Sequence, residues 1–298
     1  MLERLENFLE IVTEADNIPI VLLLVLVVFL TWLSFRKGLR NDKAGSPEEA
    51  SQTDRVQVWP YLVRVEFIVA LAVMVILTVW SFALNGPLEE AANPTLTPNP
   101  SKAPWYFLGL QEMLVYFDPW IAGVILPTLI IVGLMAIPYI DINPKGNGYY
   151  TIKERKWAIY IYCFGFLVLW VLLIQIGTFL RGPGWNFFAP GEYWDPHKVV
   201  PLSNVDFSEL FGIPTKQVDL SINPMAMIFG GVLCGAYLLI PLVYWRIKKE
   251  TQMLKILGPI RYFTTAYLFV LMMALPIKML LRWTLNVKYI LVTPFFNI

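Results

Sequence analysis

The chain has 298 residues, 57% of them hydrophobic and 15% charged, with a formal net charge of +1. That balance excludes a pair of ordinary soluble domains and points to a polytopic membrane protein. A net charge so near zero carries no argument for nucleic acid as a partner, and two cysteines with one histidine spell no zinc or c-type haem motif.

In chain order, residues 1–16 are short, acidic and amphipathic, with Glu3, Glu6, Glu10 and Glu14, and lack the basic start of a cleavable signal peptide. Residues 18–35 form the first predicted span. Arg36, Lys37, Arg40 and Lys43 follow at once and place that end in the cytoplasm. A polar linker occupies 41–59 and the second span 63–84. Residues 86–117 then divide in two. The first half carries Pro94, Pro98, Pro100 and Pro104; each proline fixes φ and pushes its predecessor towards extended geometry, which predicts a stiff strap. The second half, 105–117, lacks proline and has apolar residues at helical spacing. It reads as a short amphipathic helix on the membrane surface, with Trp105 and Tyr106 at the depth amphipathic aromatics favour.

The third span covers 121–140, and a basic loop with Lys145, Lys153, Arg155 and Lys156 leads to the fourth at 157–180. A long loop, 181–224, is rich in aromatics, proline and glycine. The fifth span, 225–244, carries a kink at Pro241. A loop with Arg246, Lys248, Lys249, Lys255 and Arg261 precedes the sixth, 262–281, which Pro276 is expected to break. The basic loops alternate with poorer ones, so both termini, the strap and the long loop fall outside. The expected class is an all-α integral membrane protein with about six transmembrane helices and a short outer-face surface helix.

The ionisable residues admit two readings each. Glu66 near Arg64 is either an interfacial ion pair or a proton donor at the cytoplasmic face. Glu112 is either a solvated residue of the surface helix or a base near the outer surface. Lys278 and Arg282 read as snorkelling anchors, His197 as a polar loop residue, and Cys163 and Cys234 as small core residues. One histidine cannot supply the two axial ligands of a b-type haem, so any redox metal belongs on another chain.

Residues 59–182 resemble the C-terminal half of cytochrome b, as found in the separate subunit IV of cytochrome b6f complexes. The order is span, proline-rich strap, surface helix, span, basic loop, span. The family hallmark Pro-Glu-Trp-Tyr reads Ala103-Pro104-Trp105-Tyr106 here, with Pro104 in place of the glutamate. The wording from Lys102 to Leu114, Lys-Ala-Pro-Trp-Tyr-Phe-Leu-Gly-Leu-Gln-Glu-Met-Leu, is similar to split cytochrome b subunits of bacterial menaquinol–cytochrome c reductases, as is the run Arg181-Gly182-Pro183-Gly184-Trp185. The resemblance divides the chain into 1–58, a cytochrome b C-terminal-like domain at 59–182, and 183–298 with a long outer loop and two additional spans.

What the resemblance implies is a subunit of a quinol–cytochrome c reductase in a bacterial inner (cytoplasmic) membrane. Quinol, menaquinol for preference, is oxidised at the outer face. Electrons pass to a Rieske 2Fe-2S protein and to b-type haems on a haem-carrying N-terminal cytochrome b chain, with a cytochrome c type subunit beyond, in a dimeric complex coupled to proton translocation. Ala103, Pro104, Trp105, Tyr106 and Phe107 would form the quinone-binding wall, with no metal ligand among them. The family's glutamate accepts a quinol proton; Pro104 has none to exchange, and Glu112 becomes the candidate proton acceptor beside a pocket-lining Tyr106. Trp59-Pro60-Tyr61 followed by Arg64 and Glu66 is similar to the family segment whose acidic residue feeds protons to the inner quinone-reducing site. The alternative is a non-catalytic membrane-anchor subunit of a respiratory assembly.

Overall fold

The computed structural model describes residues 2–14, 16–43, 57–86, 91, 93–142, 150–200, 203–217 and 220–298. Residues 44–56 of the linker, 87–90 and 92 of the strap region, Lys145, and 201–202 and 218–219 of the long loop lie outside the described residues.

The fold is all-α, with only isolated β-bridges besides helix among the described residues. Among the described residues, six helices are long and apolar enough to cross a membrane: α2 (Ile18–Lys43), α3 (Val58–Ala83), α5 (Ile121–Ile140), α6 (Ile152–Leu180), α7 (Pro224–Lys248) and α9 (Pro259–Leu285). Shorter helices are α1 (Leu2–Thr13), α4 (Leu108–Met113) and α8 (Gln252–Leu257). Helix is the only open-chain conformation that satisfies every backbone donor within an apolar segment, so each long apolar run folds this way.

Several helices outrun the hydrophobic stretch that predicts them. α2 runs on through Arg36, Lys37 and Arg40 to Lys43, whose charges oppose the negative helix end. α7 starts on Pro224 behind Asn223, whose Oδ1 accepts from the Met225 N–H at 3.0 Å. α9 ends where Asn286 turns left-handed at φ 55°. The expected break at Pro276 is absent: α9 continues through it, as α7 does through Pro241. A membrane helix tolerates a proline because neighbouring helices and local adjustment re-satisfy the freed backbone group; beside Pro241 the Tyr262 hydroxyl of α9 donates to the Pro241 carbonyl at 2.8 Å.

The chain forms two compact units. One comprises residues 5–98 and 145–161. Within it, Gly38 of α2 faces Tyr150 and Ile152 so closely that an added Cβ would lie 2.9 Å from Ile152 Cγ1. Asn41 donates to the Tyr150 carbonyl at 3.0 Å, and Asp42 accepts from the Lys153 N–H. No residue of α3 is buried.

The other unit comprises residues 1–4, 99–144 and 162–298. Its core joins Met113, Tyr116 and Phe117 to Ala122 of α5, Leu169, Leu173 and Ile176 of α6, and Leu275 and Met279 of α9. The loop after α6 folds back on the C-terminal segment: Val205 bridges to Val287, and the Phe207 N–H donates to the Tyr289 carbonyl at 2.8 Å.

Candidate functional site

The strap is tied down by side chains rather than by a ladder. Asn99 Oδ1 accepts from the Gly184 N–H at 2.6 Å, and Lys102 Nζ donates to the Thr178 carbonyl at 2.8 Å. Gln111 reaches back from α4, accepting from the Ala103 N–H at 2.8 Å and donating to the Ser101 carbonyl at 2.9 Å. Lys102 also sits 4.3 Å over the Trp194 ring, a cation–π contact with the long loop.

The expected surface helix is present in tighter form. Trp105–Phe107 makes a 3₁₀ turn, α4 follows, and turns carry the chain to Phe117. Its inner face is set by two glycines. A Cβ on Gly109 would lie 3.2 Å from Ile174, and one on Gly177 would lie 3.1 Å from the Leu108 carbonyl. Backbones can come this close only where a side chain is missing, so α4 lies directly against the C-terminal end of α6. That end of α6, Ile176–Leu180, is wound as a π-helical turn, a widening common next to functional sites.

The turn presents its aromatics outward. Trp105 and Tyr106 meet edge to face with centroids 5.6 Å apart, and Tyr106 and Phe107 lie at 4.8 Å. Tyr106 and Phe107 are 52% and 51% exposed. Ala103 is half-buried and Pro104 exposed. The five residues expected to form the quinone wall are thus consecutive on one braced turn.

Glu112 is neither solvated nor open. It is fully buried, and its carboxylate takes four donors. Arg181 grips it bidentately, Nε to Oε2 at 2.9 Å and Nη2 to Oε1 at 2.8 Å. Trp185 Nε1 donates to Oε2 at 3.2 Å, and the Tyr116 hydroxyl donates to Oε1 at 3.0 Å. Tyr116 in turn accepts from Trp283 Nε1 at 3.2 Å. Burial, reinforced by the neighbouring Glu112 charge, raises the Tyr116 phenol well above its ordinary value, so it stays a neutral donor. A buried carboxylate requires a cation and hydrogen bonds together, and here it has both.

Sequence reasoning missed this network. Arg181 stood within the Arg-Gly-Pro-Gly-Trp run but was not matched to a partner. The available signal was that a carboxylate on the inner face of a surface helix needs a nearby cation, and Arg181 is the first one after the fourth span. Tyr116 and Trp283 had no such signal, since both fit the aromatic interface pattern.

The other candidates fall elsewhere. Arg64 and Glu66 are exposed near the N-terminal end of α3, in the first-described compact unit, and among the described residues no ion pair joins them. Lys278 is no snorkelling anchor: it is 2% exposed, and its Nζ finds no hydrogen-bond acceptor among the described residues. It lies 5.9 Å from the Phe117 ring and 5.8 Å from the Tyr289 ring, in an aromatic box. His197 is an exposed loop residue 3.6 Å from Asp195. Cys163 and Cys234 are free. One exposed histidine and two separate cysteines do not fit a b-type haem or a Rieske cluster.

Fold and site together define an integral membrane protein of helical spans with a strapped, aromatic surface helix between two of them. Over residues 91–180 the chain matches the family described as cytochrome b (C-terminal)/b6/petD. The match ends one residue short of Arg181. No curated protein and no solved structure matches the chain.

Proposed function

We propose that this chain is a subunit of a bacterial quinol–cytochrome c reductase and supplies one wall of its outer-face quinol-oxidation site. The observation that carries the reading is the Trp105–Phe107 turn. It is fixed from behind by α6, Gln111 and Glu112, and it presents two half-exposed aromatics, Tyr106 and Phe107, to whatever lies in front. A flat quinol ring, menaquinol for preference, suits such a surface by stacking. The electrons go to b-type haems and a Rieske 2Fe-2S cluster on partner chains, with a cytochrome c type subunit downstream, in a dimeric inner-membrane complex with this chain's termini outside. This chain's contribution is to bind and orient the ring and to keep water from its buried side.

Pro104 has no proton to exchange. Glu112, the candidate acceptor, would have to give up one of four donors to take a proton. Those contacts support a holding role for it instead. Arg64 and Glu66 enter the reading as proton-supplying groups of an inner quinone-reducing site.

The experiment is turnover of the assembled complex with Tyr106→Ala and Tyr106→Phe. Loss of the ring raises the quinol KM about tenfold, at the upper end of what one aromatic contact supplies, while Phe keeps near-normal binding. Glu66→Ala in the same preparation slows haem reoxidation by quinone and spares outer oxidation. The second reading, a non-catalytic anchor, is favoured by the loss of the motif acid at Pro104. Unchanged KM and inhibitor affinity in Tyr106→Ala establish that reading and end ours.

A further inference from the structure

Every group that locks α4 through Glu112 from another element lies beyond the family-matched segment: Arg181, Trp185 and, through Tyr116, Trp283. Trp283 stands near the C-terminal end of α9, one of the four spans outside that segment. It is 55% exposed, yet its indole N–H is committed inward to the Tyr116 hydroxyl, with ring centroids 6.3 Å apart and nearly perpendicular. Tyr116 is 1% exposed and hands its own proton to Glu112. The chain of donors therefore runs in one direction, from indole to phenol to carboxylate. A phenol has a single proton, so the indole fixes which way it points. Hydrogen bonds in series polarise one another, so removing the first weakens the next.

We infer that Trp283, and with it the sixth span, is a positioning element of the surface helix: it orients Tyr116 so that Glu112 holds α4 and the Trp105–Phe107 turn in one place. The idea rests on the quinol-site reading for its consequence, but not for its geometry. Met279 and Leu275, about one and two turns earlier on α9, sit in the same core as Met113 and Tyr116. The span thus meets the surface helix through an apolar contact below and a directional hydrogen bond above.

The test uses the assembled complex in nanodiscs, with Trp283→Phe, Tyr116→Phe and the double variant. Phe at either position keeps a ring and removes the hydroxyl or N–H. Amide exchange across residues 105–113 is the geometric readout, and quinol KM and kcat are the functional one. Each single variant speeds exchange in that window about tenfold, and the double variant adds little, because both break one chain. KM rises about threefold with kcat retained, the pattern of lost ground-state placement. Unchanged exchange in Trp283→Phe, or strictly additive effects in the double variant, overturns the inference. Faster, non-additive exchange with unmoved KM keeps the positioning role and instead refutes the quinol site.

Discussion

Two spans of near-equal length and hydropathy have opposite fates in this chain. None of the apolar window of α3 is buried, whereas 33% of that of α6 is. The C-terminal end of α6 presses on α4 through Gly177 and closes around Glu112 through Arg181, just beyond it. α3 brings no such group; its only charges, Arg64 and Glu66, lie near its N-terminal end and are exposed. The difference teaches that hydropathy decides whether a helix enters a membrane but not what it packs on. Small residues, which permit close approach, and polar residues, which require partners, decide that.

The sharpest way to break the comparison is at the ion pair. Arg181 and Glu112 side chains are 12% and 0% exposed. Arg181→Met leaves a buried carboxylate with two donors and no cation, which costs about 3–5 kcal/mol. The expected outcome is a large fall in the melting temperature of the complex and release of the 105–113 helix to proteolysis. Glu112→Gln, which keeps an acceptor for Tyr116 and Trp185, costs less. If Arg181→Met melts like wild type, the carboxylate is solvated in the membrane-bound protein and the holding role fails.

Apolar truncation sharpens the same contrast at smaller scale. Leu173 in α6 is 0% exposed within the core, and Ile76 in α3 is 60% exposed. Leu173→Ala leaves a cavity and costs about 2–5 kcal/mol, whereas Ile76→Ala stays within about 0.5 kcal/mol. Unfolding in detergent measures both. A large effect at Ile76 would mean that α3 carries a packed contact in the assembled protein.

The fold was legible because membrane helices are written in long apolar runs, and each of the six described spans lies on one of those runs. Their ends were not, since Arg36 to Lys43 look like a loop by charge yet continue α2 by favouring its C-terminal end. Pro276 misled because a proline that ends a helix in water is tolerated in lipid. The turn at Trp105–Tyr106–Phe107 was legible as a motif. The surroundings of Glu112 were not: its partners come from residues 181, 185 and 116, and only folding brings Arg181 and Trp185 to it. Lys278 was misread for the same reason. A long basic side chain near a helix end usually reaches water, and here Phe117 and Tyr289 stand around it instead.

The smallest effect concerns pH, and its sign follows from Tyr116. Burial, then the Glu112 charge and hydrogen bond, raise this phenol above its ordinary value of about 10. The folded state therefore keeps the proton where the unfolded chain loses it. Stability from this group is fully present below about pH 10 and is lost as pH rises towards the folded value, by roughly 1.4 kcal/mol for each unit between the two. Tyr116→Phe removes the titrating group. It lowers stability at neutral pH through the lost bond to Glu112, yet makes the alkaline limb of the melting curve shallower than wild type. An alkaline limb of unchanged slope in Tyr116→Phe would mean that this phenol meets water, and that the hydrogen-bond chain from Trp283 to Glu112 is open at its middle.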